Sequence, residues 1–186
     1  MMDRLDIATA GPSWAACPGC GVSLPGPSVP GDPRRNASAA CWRLYGEVVG
    51  YEFAHLAMLG RRHQLMVDTY GAQHAGPAVP AIGPAFSLIG LRMSLDEGAN
   101  GLEVRAAHQF LAQQFRDWPI FDRPPRSATL TVFDVAMAAS PAEHERILVD
   151  WAQDVWAEWT SVQAEIAALV RERLPDHVRR GLGSGG

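Results

Sequence analysis

The chain has 186 residues, 47% of them hydrophobic, which is enough to bury one sizeable core, so one helical domain over 1–174 and a disordered tail over 175–186 are expected. Its formal net charge of −4 argues against a nucleic-acid partner, because neutralising phosphates needs a clustered basic face and the 16 cationic side chains here are scattered. All 16 are arginine, and the absence of lysine excludes Schiff-base chemistry and a phosphate-loop lysine.

Met1–Ala15 interrupts its short apolar runs with Asp3, Arg4 and Asp6, unlike a secretory leader. No apolar run reaches the roughly 18 residues of a membrane span. A cytoplasmic location is the expectation, and there three cysteines serve as metal ligands or free thiols more readily than as disulfides. From Gly11 to Arg35 the chain holds six prolines and five glycines around Cys17-Pro-Gly-Cys20-Gly21, too broken for a helix or a long strand and too poor in core residues to order itself without a staple.

Ser38 predicts the N-cap of a helix carrying Cys41, Trp42, Tyr45, Val48, Val49 and Phe53. Leu56, Leu59, His63, Val67 and Tyr70 form a second helical stripe, with Gly60 a soft point, ending near His74 before Ala75-Gly76-Pro77. Pro84 opens a third helix through Phe86, Leu88, Ile89, Leu91, Met93 and Leu95, apolar on most sides and therefore central. Asn100 with Glu103 starts a fourth. The following loop carries Trp118, Ile120 and Phe121, so it should pack across the domain. Residues 129–133 read as a strand by composition, or as the start of a short helix capped by Thr131 and Asp134. Ser140-Pro141 and Glu143 begin the longest helix, whose stripe of Leu148, Trp151, Val155, Trp159, Val162, Ile166 and Leu169 runs to about Arg173. The fold class is all-α, a bundle of five or six helices with a zinc-pinned, Pro/Gly-rich N-terminal segment.

Two thiolates two residues apart with a trailing glycine form a zinc knuckle, and Cys41 supplies a third sulfur. A redox pair lacks the strand-helix setting it needs, and unligated thiols are the remaining alternative. A histidine completes the set. If the chain reverses between Phe53 and Leu56, His74 comes within about 8 Å of the height of Cys41, whereas His63 falls level with Glu47, its expected hydrogen-bond partner. The expected metal ligands are therefore Cys17, Cys20, Cys41 and His74, around zinc. A competing arrangement makes His63, Asp68, Tyr70 and Glu47 a catalytic cluster beside an open metal position. His55, His108, His144 and His177 lack metal-like spacing and are expected at surfaces or helix ends.

Cys17-Pro-Gly-Cys20-Gly21, then Cys41-Trp42 with Tyr45 and Glu47, then His63-Gln-Leu with Val67-Asp68, Tyr70 and Gln73-His74, resemble a bacterial domain-of-unknown-function family, DUF5946. The likeness runs more loosely through Ser87–Leu91, Leu130–Val135 and Trp151–Trp159. It lends weight to the shared ligands and implies no activity. The resulting expectation is a small cytoplasmic protein with a structural zinc site, acting as a binding or regulatory module for a protein or a small molecule. The alternative is a metal-dependent hydrolase using His63, Asp68 and Tyr70.

Overall fold

A computed structural model describes residues 14–26 and 32–179. The leader reading of Met1–Ala15 falls almost wholly outside them, as do part of the Pro/Gly-rich segment and the end of the tail. The fold is all-α, with one small exception at the start. Strands β1 (Trp14–Ala16) and β2 (Ser23–Pro25) pair antiparallel, with Ala15 opposite Leu24. A hairpin this short needs only three residues on each side, which the prolines and glycines around it still permit.

Helix α1 (Ala39–Ala54) starts where Ser38 Oγ accepts the Cys41 N–H at 3.2 Å. It stops at His55, whose ring Nδ1–H donates to the Tyr51 carbonyl at 2.8 Å and takes over a helix-terminal acceptor. The stripe expected as one helix divides at Arg62 into α2 (Leu56–Arg61) and α3 (His63–Gln73). The break coincides with tertiary contacts. Gly101 lies so close that a Cβ there would sit 3.0 Å from the Gly60 carbonyl oxygen, and Glu145 pairs with Arg61 at 3.4 Å and Arg62 at 3.8 Å.

Helix α4 (Ile82–Leu91) continues as a π-helical turn, Arg92–Asp96, and α5 (Gly101–Gln114) begins with the reciprocal Asn100–Glu103 box. The composition of 129–133 resolves in favour of helix: Thr131 and Asp134 cap α6 (Val132–Ala136) from both directions. Helix α7 (Pro141–Glu158) takes Ser140 as its cap, while the Glu143 carboxylate reaches the N–H of Ala139 at 2.8 Å. The long helix also divides, through a 3₁₀ turn at Thr160–Val162, before α8 (Gln163–Arg173). Thr160 Oγ1 donates to the Ala157 carbonyl and Gln163 Nε2 to that of Trp156, so side chains replace the bonds a continuous helix would make. Residues Asp176–Arg179 form a final helical turn, α9.

Helix α4 is central, with Ala85, Leu88, Ile89, Leu91 and the following Met93 fully buried. It packs hard on α3: a Cβ at Gly90 would lie 1.9 Å from Asp68 Oδ2, and one at Gly71 2.2 Å from Ser87 Oγ. The stripe of α7 and α8 supplies Leu148, Trp151, Val155, Trp159 and Ile166 to the same core. The 115–131 loop buries Phe121 but leaves Ile120 exposed; polar bonds hold it instead, with Ser127 and Ala128 N–H groups donating to Glu158 Oε1. No described helix is long and apolar enough to cross a membrane.

Candidate metal centre

Cys17 follows β1 and Cys20 lies in the turn of the hairpin. Within the turn, the Gly21 N–H donates to the Cys17 carbonyl and the Cys17 N–H to that of Val22, both at 2.9 Å. Gly21 has φ +81, a conformation that glycine adopts without a Cβ penalty. Gly19 serves close approach: a Cβ there would come within 2.2 Å of the His74 ring and 2.4 Å of the Asn36 carbonyl oxygen. Cys41 occupies the first turn of α1, held by the Ser38 cap, and the Ser38 N–H points at Cys17 Sγ, 3.4 Å away. His74 closes α3.

The four ligand atoms all lie within 4.8 Å of one another, and among the described residues this is the one cluster of its kind. His74 Nε2 is 3.5 Å from Cys17 Sγ and 3.4 Å from Cys41 Sγ, and the sulfurs of Cys20 and Cys41 are 3.8 Å apart. Tetrahedral zinc with Zn–S of about 2.3 Å and Zn–N of about 2.0–2.1 Å requires edges of about 3.8 Å between sulfurs and about 3.5 Å from sulfur to nitrogen. The observed separations fit. The imidazole is also set for ligation, because Nδ1–H donates to the Tyr70 carbonyl at 2.8 Å and leaves the Nε2 lone pair facing the sulfurs.

All four side chains are buried. As bare thiols the sulfurs share protons: hydrogen bonds from Cys20 and Cys41 hold Cys17 far below the usual thiol range, while the bond to Cys17 pushes Cys20 up to about 12 and Cys41 higher still. Around the sulfurs, Tyr70 stacks on the His74 ring at 3.8 Å with its hydroxyl 3.6 Å from Cys41 Sγ, and burial pushes that phenol well above its ordinary value. Arg123 Nη1 donates to the Gly19 carbonyl at 2.6 Å, placing a positive charge near the thiolates. Asn36 Nδ2 donates to the Ala75 carbonyl at 2.7 Å and pins the chain after His74.

Helices α1 and α3 run in opposite directions in a register that pairs Cys41 with His74, Tyr45 with Tyr70 at a ring separation of 4.2 Å, and Glu52 with His63. This corrects the expected partner of His63. It is Glu52, not Glu47, because α2 occupies residues 56–61 between the two helices and the centre of the turn moves about three residues toward the C-terminus. His63 thus stands at the far end of α3 from the cysteines. Asp68 lies elsewhere again, fully buried against Gly90, with Gln64 Nε2 donating to Oδ1 at 3.1 Å. Of the candidate catalytic set His63, Asp68, Tyr70 and Glu47, the structure brings only Tyr70 to the cysteine cluster.

Two of the histidines expected at surfaces or helix ends are interior, His144 in the first turn of α7. His108 Nε2–H donates to the Phe86 carbonyl at 3.0 Å, and burial lowers its pKa to about 4. His144 is buried, and its Nε2–H donates to Glu52 Oε1 at 3.1 Å, while His63 Nδ1–H donates to Glu52 Oε2 at 2.8 Å. Burial alone would push the Glu52 carboxyl up, but the hydrogen bonds from His144 and His63 outweigh it and hold the group below its ordinary value. The sequence did carry signals for both partners: Glu52 shares a helical face with Cys41 and Val48, and His144 shares one with Leu148 and Trp151.

No curated protein and no solved structure matches this chain. A family model does match, over residues 15–160, a span that contains the three cysteines, His74, Glu52, His63 and His144. The chain belongs to the family of unknown function DUF5946.

Proposed function

We propose that Cys17, Cys20, Cys41 and His74 hold one structural zinc ion and that the protein is a small binding or regulatory module built on that staple. The reading rests on the closure of the site: four buried ligand atoms lie within 4.8 Å of one another, enough to fill a tetrahedral coordination sphere and leave no position for a substrate or an activated water. Zinc would neutralise the sulfurs as thiolates and tie the hairpin to the start of α1 and the end of α3. Tyr70, Arg123 and the Ser38 N–H spread the remaining negative charge, which favours a stable centre of three thiolates and one imidazole over a reactive one.

Metal analysis of the purified chain should give one zinc per molecule, and His74→Ala should lose most of it while His63→Ala keeps it. Cobalt substitution should give the absorption of a tetrahedral thiolate site. A five-coordinate spectrum, or full zinc occupancy in His74→Ala, would overturn the assignment.

A further inference from the structure

A cavity of about 210 Å³ opens between α1, α6 and the start of α7, away from the cysteine cluster. Val48, Val135, Ala136 and Ala138 give it apolar walls, and Glu47, Tyr51 and His144 give it polar groups. No arginine lines it. His144 is 3% exposed, and Glu52 directly behind it is completely buried with both carboxylate oxygens taken by imidazoles. Tyr51 fixes the His144 ring from the side, stacking on it at 5.1 Å.

The tautomer of His144 follows from these bonds. An ionised Glu52 can only accept, so Nε2 carries the proton and the neutral ring keeps its lone pair on Nδ1. Nδ1 has no partner among the described residues, and the Glu47 carboxylate has none either. A buried imidazole oriented by a buried carboxylate, in the wall of a cavity, is more than three helices need for a clip, since His63 already ties Glu52 to α3.

We propose that this cavity binds a small organic cation, with Glu47 pairing its charge and His144 Nδ1 accepting one of its N–H donors. The ligand class follows from complementarity. The Glu47 carboxylate and His144 Nδ1 are acceptors, the Tyr51 hydroxyl can accept as well as donate, Glu47 and the buried Glu52 behind the wall set a negative potential, and the remaining walls suit an apolar or aromatic body. A 150 Å³ apolar cavity accommodates benzene, so a space of this size takes a single ring bearing an amidine or aminomethyl head. The inference makes the binding-module reading specific without using the zinc, and its test does not depend on metal content.

Titration calorimetry of the full chain at pH 8 with benzamidine, benzyl alcohol and benzoate as probes decides it. Benzamidine should bind one to one, at least tenfold more tightly than benzyl alcohol, and benzoate should not bind. Glu47→Gln, at an exposed position, should weaken benzamidine at least tenfold, and Ala138→Leu should abolish binding by filling the cavity; thermal melts would confirm that both variants fold. The His144 Nδ1 resonance should shift on binding. Equal affinity for benzyl alcohol, unchanged affinity in Glu47→Gln, no binding at millimolar probe, or uptake of a second zinc that needs His144 would each overturn the proposal. Failure of the zinc assignment would show in metal analysis and leave these titrations unaffected.

Discussion

Asp68 and His108 are joined through Gln64, whose amide reaches Asp68 Oδ1 at 3.1 Å and His108 Nδ1 at 3.5 Å, yet burial acts on their charges in opposite directions. Burial raises the Asp68 carboxyl well above its usual value, and the single bond from Gln64 does not offset it. The folded chain therefore holds that proton more tightly than the unfolded chain does. Its contribution to stability is complete below the unfolded value near pH 3.9 and is lost as pH rises through the folded value. Asp68→Asn removes the penalty and keeps the shape. It should raise the melting temperature at pH 7 by about 2–8 °C, equivalent to about 1–2 kcal/mol, with the gain shrinking toward pH 4. Melts across that range check it, and a lower melting temperature at pH 7 would show that the charged form is stabilised by a partner. For His108 the sign reverses, since a folded pKa of about 4 means stability is lost as pH falls below about 6.5.

Helix α7 illustrates how a periodic stripe becomes packing. Trp151 is fully buried, and its indole N–H donates to Gln73 Oε1 at 3.1 Å, while Gln73 Nε2 donates to the Leu130 carbonyl at 2.8 Å. One side chain thus joins α7, α3 and the segment before α6. Trp151→Ala should cost about 3–5 kcal/mol, from the cavity and from the acceptor it strands on Gln73. Chemical denaturation measures this directly, and a loss below about 1 kcal/mol would contradict the observed burial. Trp156 makes a different attachment, donating to the Asp96 carboxylate at the end of the π-helical turn, with Oδ2 at 3.2 Å.

Across the molecule, the hairpin has few apolar anchors: Leu24 is buried, but Trp14 is two-thirds exposed. Val22 packs partly against the core, and further attachments run through Cys17, Cys20 and the Arg123 bond to Gly19. On the proposed assignment, metal binding would be part of the folding free energy of this segment. If the proposed zinc is bound, its removal by a chelator should raise hydrogen exchange at residues 14–26 and around Ser38–Cys41, with little change in the α4 and α7 core. Unchanged exchange after verified metal removal would mean that hairpin contacts alone suffice.

Local chemistry determined a good part of this protein. The helix starts at Ser38, Asn100 and Ser140 were legible because a cap satisfies orphan N–H groups within three residues of itself, whereas the start at Thr131 stood open against a strand. The central place of α4 followed from its apolar surround, and the knuckle spacing marked two sulfurs as neighbours. The convergence of Cys41 and His74 was approachable too, because two helices joined by a turn have a calculable register. Tertiary structure decided the rest. The turn centre moved because α2 lies between α1 and α3, which exchanged Glu47 for Glu52 as the partner of His63. The breaks at Arg62 and Thr160 depend on close approach by Gly101 and on the Thr160 and Gln163 side chains, and hydrophobic periodicity reports none of these. Glu52 and His144 are 92 positions apart, and a buried charge pair at that distance is visible only once folding has brought both helices to one place.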